Sequence, residues 1–156
     1  MYYSTNRTEI TQKREQQGKR KHKDHLMPSK VTYEKRGAGV VVSWTGFVTG
    51  AEIKEVNASL KYAKEGLGKL RYQIWDFTQV DGKKISNQDV HEFAIQDRVA
   101  AQTNPDLMVA LVGNKNSFEG YDRLFHIYEE VWAGFQSRTF STIAEAREWI
   151  SSRLAE

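Results

Sequence analysis

The chain contains no cysteine. That excludes a disulfide framework, thiol catalysis and any cysteine-ligated metal, and it fits a reducing compartment. Long apolar runs are missing too, and none approaches the roughly 20 residues of a membrane span. The N-terminus is polar and basic and lacks an apolar segment of secretory type. The expectation is a cytoplasmic protein. Histidine is scarce, with four in 156 residues, and His22, His25 and His91 show no metal-ligand spacing. No nucleophile elbow, zinc motif, dinucleotide fingerprint or paired-carboxylate motif occurs. The chain is therefore expected to bind no cofactor and to be no enzyme.

What is present is an ordinary globular mixture, 39% hydrophobic and 28% charged, with a generous 12% of aromatics. The formal charge of +3 is unevenly spread. Residues 1–30 carry eight Lys/Arg and three acids, hence +5, and the remaining chain carries −2. The body is mildly acidic, so its charge does not suggest nucleic-acid binding. Residues 1–30 lack apolar periodicity and read as a disordered basic tail. Three readings of it stay open. It is a solvated tail, or the native chain starts at Met27, or Lys19-Arg20-Lys21-His22-Lys23 holds an anionic membrane or nucleic acid by charge.

From Val31 onward the elements alternate. Val31–Lys35 and Val40–Val48 read as two strands of a hairpin joined through Arg36-Gly37-Ala38-Gly39. Thr49 caps a helix, with Glu52 as its capping-box partner. Ile53, Val56, Leu60, Ala63 and Leu67 mark its inner face, and Gly66 and Gly68 end it. Leu70–Phe77 is a third strand, followed by a loop from Thr78 to Lys84 around Asp81-Gly82. Ser86 or Asn87 caps a helix to about Gln102, with Val90, Phe93, Ala94 and Ala101 inward. Leu107–Val112 is nearly all apolar, as a central strand covered on both faces should be. Asn116 caps a further helix, with Glu119 as its partner, along which Tyr121, Leu124, Phe125, Tyr128, Val131, Trp132 and Phe135 form a clean stripe to Gly134. Gln136–Phe140 is a fifth strand. Thr142 caps the final helix, with Ile143, Ala146, Ile150 and Leu154 inward. The order is ββαβαβαβα. Helical crossovers imply a five-stranded, mostly parallel mixed sheet with four helices, over a domain spanning 31–156.

Several local motifs carry a resemblance. The third strand ends Ile74-Trp75-Asp76-Phe77. The stretch from Val109 to Tyr128 holds Gly120, Arg123, Phe125 and Tyr128. The run from Arg138 to Ile150 has a strand ending in Phe140, then Glu145, Ala146 and Trp149. In this order they resemble the SpoIIAA-like proteins, relatives of STAS domains. The resemblance implies a STAS-like sheet with helices. It implies one of two jobs: protein–protein regulation, as in anti-sigma-factor antagonists, or binding of an apolar or lipid-like ligand under a mobile helix. Antagonists carry an Asp-Ser-x-Gly phosphorylation motif after the third strand. Here that region reads Asp81-Gly82-Lys83-Lys84-Ile85-Ser86-Asn87. Ser86 stands at a comparable helix start without the motif, so the switch is not implied.

Candidate ligand residues follow from position. Asp76, Thr78 and Ser86 lie at or after the carboxyl end of the third strand, the usual crevice of open α/β sheets. They either recognise a head group or form turns and caps. Asn114, Lys115 and Asn116 occupy the matching end of the fourth strand and either cradle a phosphate or cap a helix. This is no P-loop, because the glycine and Lys-Ser/Thr spacing is absent. Asp122 and His126, with Glu129, form a solvated helix face, or else a metal site or an acid/base pair. Trp44, Phe47, Trp75, Phe125 and Tyr128 read as plain core. Trp132 and Phe135 line an apolar pocket or a membrane-facing rim, or pack as plain core. The expected partners are an apolar or lipid-like ligand, with a regulatory protein, a homodimer and peripheral membrane contact as alternatives.

Overall fold

The computed structural model describes residues 28–62, 67–114 and 136–156. Strand β1 (Ser29–Glu34) pairs antiparallel with β2 (Gly39–Thr49). Between them Lys35, Arg36 and Gly37 all adopt left-handed backbone, with φ of 48°, 57° and 90°. That turn ends β1 at Glu34, one residue before the sequence suggests. Helix α1 (Gly50–Tyr62) leads to β3 (Tyr72–Lys84), α2 (Asn87–Thr103) and β4 (Met108–Val112). β5 (Gln136–Phe140) and α3 (Ile143–Leu154) follow. The sheet order is β1-β2-β3-β4-β5, with every pair after the first parallel. The expected five-stranded mixed sheet is thus present. Three of the four expected helices lie among the described residues, and the one expected from Asn116 to Gly134 lies outside them. No helix among the described residues is long and apolar enough to cross a membrane.

The alternation of each strand splits the core into two layers. Val40, Val42, Trp44, Trp75, Val109 and Leu111 face α1 and α2, against Ile53, Val56, Leu60, Phe93 and Ala100. Val41, Ile74, Met108, Ala110 and Val112 point the other way, onto Ala146, Trp149 and Ile150 of α3. β4 is buried at every position, because helices cover both of its faces. Each helix starts on a side-chain cap. The Thr49 hydroxyl accepts from the Glu52 N–H while Glu52 accepts from the Thr49 N–H at 2.8 Å. Capping boxes Ser86/Asp89 and Thr142/Glu145 do the same for α2 and α3. A polar seam joins α1 to α2. Lys54 bonds Glu92 and Asp89, and Asn57 Nδ2 donates to Gln96 Oε1 at 3.0 Å and Asp97 Oδ1 at 3.2 Å.

One expectation is corrected. Thr78–Lys84 is not a loop but the second half of β3. It runs beside the end of β2, from Thr45 opposite Gln79 to Thr49 opposite Lys84. β4 stops opposite Asp76, so β2 and β3 continue past it as a two-stranded ledge. Hydrogen bonding along a parallel partner supplies order that the polar, turn-forming residues around Asp81-Gly82 do not advertise.

A second feature has no local signature. Glu34, Gly39 and Tyr72 stand directly opposite one another on β1, β2 and β3. A Cβ at Gly39 would lie 2.0 Å from Cζ of Tyr72, so the bare glycine lets the tyrosine ring lie across β2. The Tyr72 hydroxyl then donates to Glu34 Oε2 at 2.9 Å. Arg147 of α3 closes the clasp with paired bonds to Glu34, Nη2 to Oε1 at 2.7 Å and Nη1 to Oε2 at 3.0 Å. Arg147 holds the Glu34 carboxyl below its ordinary range. Burial, and then Glu34, push the Tyr72 phenol up to about 12.

Candidate functional site

Of the sequence-derived candidates, Asp76 and Thr78 lie within β3 near the level where β4 ends, Asn114 lies just past β4, and Ser86 lies beyond the end of β3. Asp76 is buried and sits between Ser43 on β2 and Val112 on β4. Its Oδ1 accepts from the Thr78 N–H at 2.9 Å and the Thr78 hydroxyl at 2.7 Å. Beyond this point β3 advances three residues while β2 advances two, from Ser43/Asp76 to Thr45/Gln79. A second extra residue enters between Val80 and Gly82. The strand therefore bulges twice. The Asp76 carboxylate takes up the N–H of Thr78 at the first bulge, where the regular ladder is interrupted. The Asp76–Thr78 contact thus holds the first bulge of β3.

The bulges set what the ledge displays. Gly46 has φ +68°, which favours glycine there. Phe47 next to it is 58% exposed, and its ring rests over Gly82 on β3. Val48 turns inward to 1% exposure. A large aromatic thus stands in water at the tip of the ledge. The sequence presents Phe47 as one more core aromatic, and the only signal against this is the Gly46 that precedes it.

Ser86 is exposed at the start of α2. Its hydroxyl accepts from the Asp89 N–H at 3.1 Å and donates to Asp89 Oδ2 at 2.8 Å, and its own N–H donates to the same oxygen at 2.7 Å. Asp89 also meets Lys54 Nζ at 3.0 Å and lies against the start of α1, where a Cβ on Gly50 would come within 2.3 Å of its carboxyl carbon. The Ser86 backbone and hydroxyl, followed by Lys54, hold the Asp89 carboxyl down to about 2. A carboxyl whose folded pKa lies below the unfolded one stabilises the fold above the unfolded value, near 4, and that contribution disappears as pH falls towards 2. Asp89→Ala is accordingly expected to lower stability by about 1 kcal/mol at neutral pH, after allowance for solvent screening. In urea titrations the gap between variant and parent should close between about pH 4 and pH 2. A gap that persists unchanged at pH 2 contradicts this role.

Asn114 is exposed just past β4, after Gly113, whose N–H donates to Phe140 O at 3.0 Å. Lys115, Asn116, Trp132 and Phe135 lie outside the described residues, as do Asp122, His126 and Glu129. The contacts of Asp76 and Thr78 are with each other. Three aromatics meet under α1 and α2. Trp44 stacks on Trp75 at 6.2 Å and on Phe77 at 6.0 Å, with interplanar angles of 18° and 1°. Trp75 Nε1 donates to Gln73 Oε1 at 2.9 Å, whereas Trp44 Nε1 is buried without a partner among the described residues. Also among the described residues, no group of three or more His, Asp or Glu is placed to hold a metal.

A parallel sheet with one antiparallel edge strand, and helices on both faces, is an α/β architecture, and likeness to solved structures shows the fold to be SpoIIAA-like. An uncharacterised DUF3478-family protein with a SpoIIAA-like fold from Shewanella loihica PV-4 matches with a TM-score of 0.52 at 14% identity, covering 78% of this chain and 91% of that one. The anti-sigma factor antagonist SpoIIAA in its unphosphorylated form matches with a TM-score of 0.51 at 13% identity, covering 79% and 97%. No protein-family model matches the chain. No curated protein matches it by sequence.

Proposed function

We propose that this STAS-like domain is a non-enzymatic regulatory module that docks a protein partner on the ledge formed by the ends of β2 and β3. The observation that carries the reading is Phe47, a large aromatic held 58% exposed at the tip of that ledge. Exposed aromatics on a rigid support are typical anchors of protein interfaces. Ser86 and the start of α2 follow directly after the ledge and add polar rim groups. The anti-sigma factor antagonist among the structural neighbours supports a partner-binding role for this kind of fold.

Phe47→Asp replaces the anchor by a charge without opening the core. The expected result in affinity capture from the host is a stoichiometric partner retained by the parent chain and weakened about 30-fold or more by the substitution, the equivalent of about 2 kcal/mol. A partner retained equally by both proteins defeats the assignment to this ledge.

A second reading, an apolar or lipid-like ligand, is favoured by Trp44, whose buried N–H could meet an acceptor on a ligand head group beside the stacked rings. Native mass spectrometry of protein from its host tests it. Consistently bare protein that takes up neither fatty acid nor phospholipid counts against it.

A further inference from the structure

We propose that the outer edge of β1 pairs with the same edge of a second copy of this chain, antiparallel and centred on Thr32, so that two five-stranded sheets become one. This does not depend on the partner-binding ledge, which is built by other strands.

The argument begins with the state of the edge. β1 is an end strand, paired only with β2 among the described residues. Its six residues match β2 one to one without a bulge, and the nearest proline, Pro28, precedes it. Bulges, prolines and short irregular edges are the usual protections against sheet-to-sheet pairing, and β1 has none of them within its length. Val31 and Tyr33 are 37% and 41% exposed. They stand opposite Val42 and Val40, on the face that α1 and α2 cover further along the sheet.

The register follows from geometry. In an antiparallel pair, residues whose backbone groups point outwards must meet residues of the same kind. Around a two-fold axis this requires one residue to face its own copy. Centring on Thr32 uses Lys30–Glu34 and leaves no rung mismatched. Thr32 then faces Thr32, Val31 faces Tyr33 twice, and Lys30 faces Glu34 twice. Threonine pairs, aromatic with β-branched pairs and opposite charges are each favourable across strands. Lys30, a residue that would normally discourage edge pairing, thereby meets a carboxylate. Glu34 is already fixed in position by Arg147 and Tyr72, so it presents that carboxylate at little further ordering cost. The left-handed turn at Lys35 and Arg36 bars frames centred later than Thr32, and a frame centred on Val31 would set Lys30 against Thr32 and lose the Lys30–Glu34 pairs. The opposite edge of the sheet lacks such self-complementarity, because centring β5 on its middle residue sets Arg138 against Arg138.

The absence of cysteine makes the test direct. Single variants of the full chain, Val31→Cys, Thr32→Cys and Tyr33→Cys, are oxidised with diamide beside Glu148→Cys on the exposed side of α3. Directly opposed residues are close enough to join, whereas Val31 and its own copy are about 7–8 Å apart. Thr32→Cys is expected to form covalent dimer well ahead of the other three. Light scattering should show the unmodified chain approaching two-chain mass as concentration rises. Thr32→Lys, which sets two ammonium groups face to face, should weaken that association about fivefold or more. Its thermal midpoint should stay near that of the parent, because Thr32 is exposed, which separates lost pairing from lost folding. A chain that stays monomeric at all concentrations overturns the proposal. So does cross-linking of Thr32→Cys no faster than the α3 control, or a dimer indifferent to Thr32→Lys.

Discussion

Replacing Trp44 with alanine is expected to cost the fold about 4 kcal/mol, in the range for removing a buried tryptophan. The ring is 1% exposed and stacks on both Trp75 and Phe77, so its loss leaves a cavity walled by two flat rings belonging to one strand. Those rings are held by β3 and cannot fold inwards to fill the space. Trp44→Phe separates packing from hydrogen bonding. It keeps a ring in the stack and removes an N–H that has no partner among the described residues. Its cost is expected to be about 1 kcal/mol, because the lost contact is partly offset by relief of an unsatisfied buried donor. Urea unfolding monitored by far-ultraviolet circular dichroism checks both values. Similar losses in the two variants would mean that the indole N–H has a partner in solution.

Gly39→Ala is the second large effect, expected at about 3 kcal/mol, the upper part of the range for overpacking. The added methyl would strike the ring of Tyr72 at 2.0–2.4 Å. The ring cannot step aside without breaking its bond to Glu34, to which Arg147 is also tied. Gly68→Ala provides the contrast, since nothing lies within 4 Å of its added carbon and its backbone is unstrained; it should be close to neutral. In Gly39→Ala the basic limb of the stability profile should also change. In the parent, an unfolded tyrosine ionises near pH 10 while folded Tyr72 holds its proton to about 12, so stability declines across that interval. If the methyl displaces the phenol, that decline should flatten. A variant with parental stability and an unchanged alkaline profile would show that the ring has room to move.

How much of this was legible beforehand varied with the range of the interaction. β4 announced itself, since five consecutive apolar residues need cover on both faces and receive it. The caps at Thr49, Ser86 and Thr142 were legible because a cap spans three residues. The inward positions Val90, Phe93, Ala94 and Ala101 followed from helical period alone. The far half of β3 was not legible. Its polar residues are ordered by the parallel neighbour β2, whose position only the fold reveals. The clasp was hidden for the same reason, because Glu34 and Arg147 are 113 residues apart and no sequence pattern links them. Asp76 and Thr78 were expected at or after the end of the third strand, whereas they lie within β3, which runs on to Lys84, and the contact between them was not legible. Phe47 needed the bulged register before its exposure made sense.

The division of the core into two layers bears on how the chain is made. Protein domains begin to fold during synthesis, from the N-terminal end. Among the described residues, the layer beneath α1 and α2 draws on none later than Leu111. Among the described residues, Ile74, Ala110 and Val112 are covered by Ala146, Trp149 and Ile150 of α3, a contact that forms only once α3 has left the ribosome. A ribosome pause between these two stages would hold that face without its α3 cover.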